Sequence, residues 1–358
     1  MSESAQQSAV ETSVSGVSDP ELGRTLGDLK MLKSVEIDGC NVHVTIELPA
    51  HAYPKNGSLA ESVRSAARSA MPDADEVTIN FQHRVRGRES GGDLGLRVKN
   101  IIAVGSGKGG VGKSTIAAGL AFGLKHFGSS VGLMDADVYG PSIPHLVGVE
   151  GQPAVKEVPT HDGRTFERMV PNEANGVKVM SMGFMVPAEQ AVIWRGPMLH
   201  KALMQFLAQT DWGELDYLII DMPPGTGDVA LTLSQAVGLA GAVVVCTPQE
   251  VALLDAVKAI SMFRQVKIPV LGMVENMTGD IFGRGGAKRK AEQMEVPFLG
   301  EVPAIADIRE RGDAGRLASL YDDSSPARDA LLHVSERTAI EVAKQIIDSQ
   351  AMPQLEIL

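Results

Sequence analysis

Residues 101–115 read IIAVGSGKGGVGKST, and the way this stretch folds around its glycines decides the architecture of most of the chain. Two nucleotide signatures overlap in it. Gly105, Gly107 and Gly110 spell G-x-G-x-x-G, the dinucleotide type, while Gly107 through Ser114 spell the phosphate-loop pattern G-x-x-x-x-G-K-[ST]. Spacing alone leaves the dinucleotide reading open, because Asp135 ends the next apolar run about where a ribose-binding acid would sit. That reading accounts for the glycines only. A phosphate loop employs the whole ATP-binding turn, Gly107, Lys108, Gly109, Gly110, Val111, Gly112, Lys113, Ser114 and Thr115. Its backbone N–H groups wrap the phosphates, Lys113 neutralises the β and γ oxygens, and the Ser114 hydroxyl ligates Mg²⁺. The strand IIAVG precedes the turn and the helical STIAAGLAFGLKHFG follows it, so the phosphates sit at a helix N-terminus, where free amides and the macrodipole favour them. Neither pattern requires Lys108.

Further along, short apolar runs alternate with longer helical segments: VGLMDAD, GVKVMSM, YLIIDMP, GAVVVCTP and VLGMVEN. Near-continuous apolar strands joined by helical crossovers predict an α/β domain of the P-loop NTPase type over residues 101–345, a mainly parallel sheet flanked by helices. YLIIDMPPGTGD ends its strand on Asp221, the position of a carboxylate that holds the Mg²⁺ site. LMDADVYGPS places Asp135 and Asp137 at another strand end, where alternate positions aim one acid at the metal and the other at an attacking water.

Ahead of this domain the text changes. VEIDGCNVHVTIEL alternates around an Asp-Gly turn as a β-hairpin does, SLAESVRSAARSAM has helical spacing, and EVTINF alternates again, so residues 19–85 read as a small α+β domain. Residues 86–100, rich in Arg, Gly and Ser, read as a linker; residues 1–18 read as a disordered tail and 346–358 as a C-terminal tail.

The net charge of −11 argues against a nucleic-acid or anionic-membrane partner, and the start of the chain lacks the basic and apolar regions of a signal peptide, so the expected address is cytoplasmic. Cys40 and Cys246 are the only cysteines, so no disulfide framework and no C-x-x-C occurs.

Taken together, GKGGVGKST, DADVYGPSIPHL, WRGPM, DYLIIDMPPGTGD, TPQEVAL, GMVENM and IFGRGGA resemble the Mrp/Nbp35 ATPases, the ApbC-type iron–sulfur cluster carriers of the deviant Walker A class. Residues 19–85 resemble the small MIP18-like domain that often precedes such ATPases. The resemblance implies a slow Mg²⁺-dependent ATPase that acts as a homodimer and delivers clusters to apo iron–sulfur proteins, or works with cluster-assembly factors. It implies that Lys108 reaches across the dimer to the other subunit's nucleotide, that Asp137 orients the attacking water with Asp135 nearer the metal, that Asn276 contacts the adenine, and that Pro303 lies beside the base.

The chain departs from that family in two places. Where members usually carry C-P-x-C, whose cysteines hold a bridging [4Fe-4S] cluster, this chain reads Glu275-Asn276-Met277-Thr278-Gly279-Asp280-Ile281-Phe282-Gly283. A position of the small domain that often bears a reactive cysteine reads Ala52-Tyr53-Pro54, and His51, His83 and His161 stand as scattered singletons. Iron–sulfur ligands are therefore not assigned. The alternatives are a cluster-less adaptor ATPase, then a partitioning switch of the ParA or MinD kind, which would want a basic DNA-binding face or a basic amphipathic C-terminal helix where this chain has IEVAKQIIDSQAMPQLEIL with three acids and one lysine, and last an oxidoreductase.

Overall fold

The computed structural model describes residues 3–87, 94–159, 165–185, 196–225 and 227–351. The chain divides into two compact units, one from residues up to Arg86 together with the C-terminal end from Ala343, the other Gly87–Val342.

The first unit contains α1 (Glu3–Ser15), β1 (Leu32–Asp38), β2 (Asn41–Leu48), α2 (Asn56–Ala70) and β3 (Glu76–His83). β1 and β2 form the antiparallel hairpin, turning at Gly39 with φ +61°, and β3 adds parallel to β2 with Leu48 beside His83. Every second residue of β2 is buried, Val42, Val44, Ile46 and Leu48, and the amphipathic α2, which packs on β3, buries Leu59, Val63 and Ala67. The disordered tail expected over residues 1–18 is corrected: α1 occupies most of it. Val10 and Val14, spaced one helical turn apart, are fully buried, α1 packs on α2 and β1, and Ser13 Oγ donates to Ala66 O at 2.8 Å. Two buried valines in an otherwise polar stretch are enough to anchor it.

The second unit opens with β4 (Val98–Gly105), α3 (Lys113–His126), β5 (Val131–Asp135) and α4 (Ile143–Val147). β6 (Ala154–Pro159) and β7 (Thr165–Val170) form a separate antiparallel pair, followed by β8 (Asn172–Ala174) and β9 (Val177–Ser181). Then come α5 (Gly196–Gln209), β10 (Leu215–Asp221), α6 (Gly227–Ala236), β11 (Leu239–Cys246), α7 (Glu250–Gln265), β12 (Val270–Thr278), α8 (Gly286–Gln293), β13 (Phe298–Pro303), α9 (Ala306–Asp313) and α10 (Pro326–Ala351), whose residues from Ala343 on belong to the first unit. Eight strands form one sheet in the order β13-β12-β11-β4-β10-β5-β9-β8, parallel throughout except for β8 at its edge. β10 and β11 are buried at every residue, as expected of central strands covered by helices on both faces.

The expected C-terminal tail is also corrected, because α10 continues to Ala351; residues 352–358 lie outside the described residues, as do residues 88–93 of the expected linker. No described helix is long and apolar enough to cross a membrane.

Candidate functional site: a phosphate loop beside a base-sized pocket

The order of the central strands brings the acids to the phosphate loop. β10 lies between β4 and β5, with Asp221 level with Val104 on one side and Asp135 on the other. The turn between β4 and α3 therefore passes directly over the ends of the strands that carry both carboxylates.

Two glycines in that turn have no substitute. A Cβ on Gly107 would lie 2.0 Å from the backbone oxygen of Asp255, and Gly112, at φ +78°, would place one 2.2 Å from Asn276 Nδ2. From Gly112 the chain enters α3, whose first residue is Lys113.

Lys113 is buried and donates from Nζ to Asp221 Oδ1 at 2.6 Å and to Ser114 Oγ at 3.3 Å; Asp137 Oδ2 lies 3.9 Å away. Burial pushes the Asp221 carboxyl above the ordinary carboxylate range, and the Lys113 ammonium pulls it part of the way back. Asp221 Oδ2 is buried and accepts no hydrogen bond. An orphaned carboxylate oxygen beside the Ser114 hydroxyl is the oxygen donor set that Mg²⁺ prefers, so these residues fit that ion.

Asp135 is arranged differently. Burial, then the neighbouring Asp221 charge, pushes its carboxyl up to about 8. It accepts from Asp137 N at 3.1 Å, from Ser181 Oγ at 3.0 Å and from Ile143 N at 3.2 Å, so protein donors already occupy both its oxygens. Asp137 Oδ1 accepts from Tyr139 N and Gly140 N, both at 3.2 Å, which leaves Oδ2 turned toward Lys113.

Lys113, Ser114 and Asp137 line a cavity of about 290 Å³ together with Lys108, Gly109, Gly110, Thr115 and Pro224, with Asp221 buried behind Lys113. Lys108 is half-buried there, and its side chain forms no ion pair among the described residues. Gly225 N donates to Ser106 O at 3.0 Å, which ties the turn after β10 to the phosphate loop; Thr226, next in that turn, lies outside the described residues.

A second cavity, of about 420 Å³, shares Thr115 and Leu146 with the first. Asn276 and Pro303 line it, and so do Met277, Phe282, Ile305 and Arg309, which sequence reasoning did not single out. Only Phe282 carried a signal, as an aromatic residue next to a glycine turn. Asn276 Nδ2 donates to Val111 O at 2.9 Å, so one side chain at the end of β12 touches both the phosphate loop and this pocket.

The segment that lacks the family's cysteines is short and closed on itself. Gly279 N donates to Gly283 O at 3.0 Å and Gly283 N to Gly279 O at 2.7 Å, leaving Ile281 89% exposed at the tip. Behind it the buried Glu275 carboxylate accepts from Gly285 N at 2.6 Å and Ala287 N at 2.5 Å, capping α8. Cys40 is exposed beside the β1–β2 turn, whereas Cys246 is buried at the end of β11. Burial, then the Glu275 charge, pushes the Cys246 thiol up to about 12, away from the thiolate a cluster needs. Among the described residues no group of three or more His, Cys, Asp or Glu is placed to hold a metal ion.

Comparison with known proteins places this geometry. Residues 7–81 match a family described as iron–sulfur cluster assembly protein, and residues 97–339 match NUBPL iron-transfer P-loop NTPase. The chain is 45% identical over 360 residues to the iron–sulfur cluster carrier protein of Deinococcus radiodurans, covering 98% of this chain and 99% of that one. It is 42% identical to that of a Synechocystis species, over 94% of this chain and 97% of the other. A nucleotide-binding protein from Archaeoglobus fulgidus, solved with ADP, is 39% identical with a TM-score of 0.54, over 65% of this chain and 94% of its own. With the ATPase model matching most of the chain over the phosphate loop, both acid-bearing strands and the base-sized pocket, the chain belongs to the NUBPL iron-transfer P-loop NTPase family.

Proposed function

We propose that this protein is a cytoplasmic, homodimeric, Mg²⁺-dependent ATPase that carries iron–sulfur clusters to apo iron–sulfur proteins, with hydrolysis resetting the dimer. The observation that carries the reading is the convergence of Lys113, Ser114 and Asp137 on one cavity, with Asp221 bonded to Lys113 behind it, and the continuation of that cavity into a base-sized pocket. Similarity over nearly the full length to proteins named iron–sulfur cluster carriers supports the cargo.

The adenine lies against Pro303 and Phe282 with Asn276 beside it, and the phosphates extend over Gly107 to Thr115. The free amides at the start of α3 and the Lys113 ammonium take up their negative charge. Ser114 and Asp221 would hold Mg²⁺, which would supply further charge neutralisation to the phosphates. Asp137 Oδ2 orients the attacking water, and Asp135 fixes the turn that carries Asp137 and supports the metal site from the adjacent strand. Lys108 supplies positive charge to the nucleotide of the other subunit, so the catalytic set is complete only in the closed dimer.

A second reading rests on the closed Gly279–Gly283 loop and the buried Cys246: an ATP-driven adaptor that works with cluster-assembly factors and holds no cluster itself. Anaerobic reconstitution with iron and sulfide separates the two. Retained iron and a visible charge-transfer band, lost in a Cys40→Ser, Cys246→Ser double variant, establish carriage through these thiols. Absence of retained iron in a protein that still hydrolyses ATP establishes the adaptor.

A further inference from the structure

His51 and His83, separated in sequence by the whole of α2, meet in space. Their ring centroids are 5.6 Å apart and their planes 15° from parallel. The fold of the first unit brings this about. Leu48, at the end of β2, pairs with His83, and the chain leaving β2 stays bonded to the end of β3, through Arg84 N to Leu48 O at 3.0 Å and Arg86 N to Pro49 O at 3.1 Å. The turn carrying His51 is closed by Tyr53 N donating to His51 O at 3.1 Å, and the Tyr53 hydroxyl is anchored on buried Asp19 at 2.5 Å.

His51 is half-buried and His83 exposed, and among the described residues the ring nitrogens of neither have a hydrogen-bonding partner. Two neighbouring imidazoles with free nitrogens, held on a hydrogen-bonded frame with ring centroids 5.6 Å apart, lie close enough for rotation of the side chains to turn one nitrogen of each toward a shared point. A transition-metal ion sits about 2.0–2.1 Å from each ligating nitrogen, within reach of both rings by rotation of the two side chains.

We propose that His51 and His83 form a two-imidazole site for one first-row transition-metal ion of the Fe²⁺, Co²⁺ or Zn²⁺ class. Imidazole selects these ions over Mg²⁺ and Ca²⁺, which take oxygen ligands. Among the described residues no third side chain completes the set, so the ion keeps open positions for water or for a thiolate brought by a partner molecule. A site of this kind exchanges its ion readily, unlike a closed four-ligand structural site. The proposal rests on the first unit alone and is independent of the phosphate loop.

The test uses full-length protein stripped with a chelator and titrated with Co²⁺ in excess Mg²⁺, followed by calorimetry and by NMR of the histidine ring resonances. One ion per chain is expected, with the His51 and His83 resonances broadened selectively. His51→Ala and His83→Ala each weaken binding at least about tenfold, the scale on which even an outer partner of a metal ligand matters. Cys40→Ser and Asp221→Asn leave it unchanged. Folded single variants that keep the parent affinity overturn the site. Should either variant fail to fold, the ring resonances of the parent protein decide: uniform broadening, or none, overturns it equally.

Discussion

Lys113 and Lys108 line the same cavity but are held in opposite ways. Lys113 is buried with its ammonium 2.6 Å from Asp221, so it is positioned before any ligand arrives. Lys108 is half-buried and unpaired among the described residues, so its charge is available to a group outside its own chain. Replacing Lys108 by Ala is expected to lower ATP turnover by about 10³-fold, the low end for an arginine-finger charge, while the dissociation constant for ATP changes far less. Phosphate-release kinetics beside equilibrium nucleotide binding measure the two separately, and unchanged turnover would refute the cross-dimer role. Gly112 makes the opposite prediction. At φ +78° a side chain costs about 1–2 kcal/mol in backbone strain, and its Cβ would also displace Asn276 from 2.2 Å. Gly112→Ala is therefore expected to weaken ATP binding itself, with the Asn276–Val111 bond lost; a variant with parent affinity would show that the loop tolerates the shift.

Between elements, Asp216 at the start of β10 joins three segments. Lys99 Nζ on β4 lies 2.7 Å from Oδ1, and Ser130, just before β5, donates to Oδ2 from N at 2.9 Å and from Oγ at 3.1 Å. Burial alone would raise this carboxyl, but the Lys99 ammonium and the Ser130 donors outweigh it and hold the pKa below the ordinary carboxylate value. A depressed folded pKa means stability that is present above the unfolded value of about 3.9 and is lost as pH falls through the folded one. Asp216→Asn is expected to cost about 1–3 kcal/mol at neutral pH, with the difference from the parent shrinking below about pH 4. Urea unfolding across that range measures it; a constant difference down to pH 2 would sink the assignment. Elements of this kind were legible to different degrees. β5, β10 and β11 announce themselves as unbroken apolar runs because both their faces are covered. β13 does not, since Gly300 and Pro303 interrupt its FLGEVP with residues that mark turns elsewhere. α1 was hidden because its register depends on α2 and β1, which supply the partners for Val10 and Val14. For the candidate site, spacing pointed to the phosphate loop and to Asp221, whereas Ser181 and Phe282 come near these residues only through strand order and loop closure, and sequence spacing carries neither. The His51–His83 pair was invisible for the same reason, being created by the β2–β3 register.

For the molecule as a whole, charge sets the terms of association. Each chain carries a net −11, so two copies repel at long range, and dimerisation needs a strong local attraction. In the proposed dimer the phosphate cavity would supply one of opposite sign: triphosphate would lie against Lys113 from its own chain and Lys108 from the other, and ADP lacks the γ-phosphate on which both would converge. Salt then acts in an unusual direction. With a Debye length of about 8 Å at physiological ionic strength, added salt screens the diffuse repulsion between acidic surfaces more than the enclosed lysine–phosphate contacts. Sedimentation velocity is therefore expected to show a dimer with Mg²⁺-ATP in an Asp137→Asn variant that hydrolyses slowly, and a monomer with ADP. That dimer should persist or strengthen as salt rises to physiological strength, and adding Lys108→Ala should abolish it. A dimer equally populated without nucleotide, or one retained after Lys108→Ala, would mean that apolar surface rather than the nucleotide holds the subunits together, and hydrolysis could not reset it.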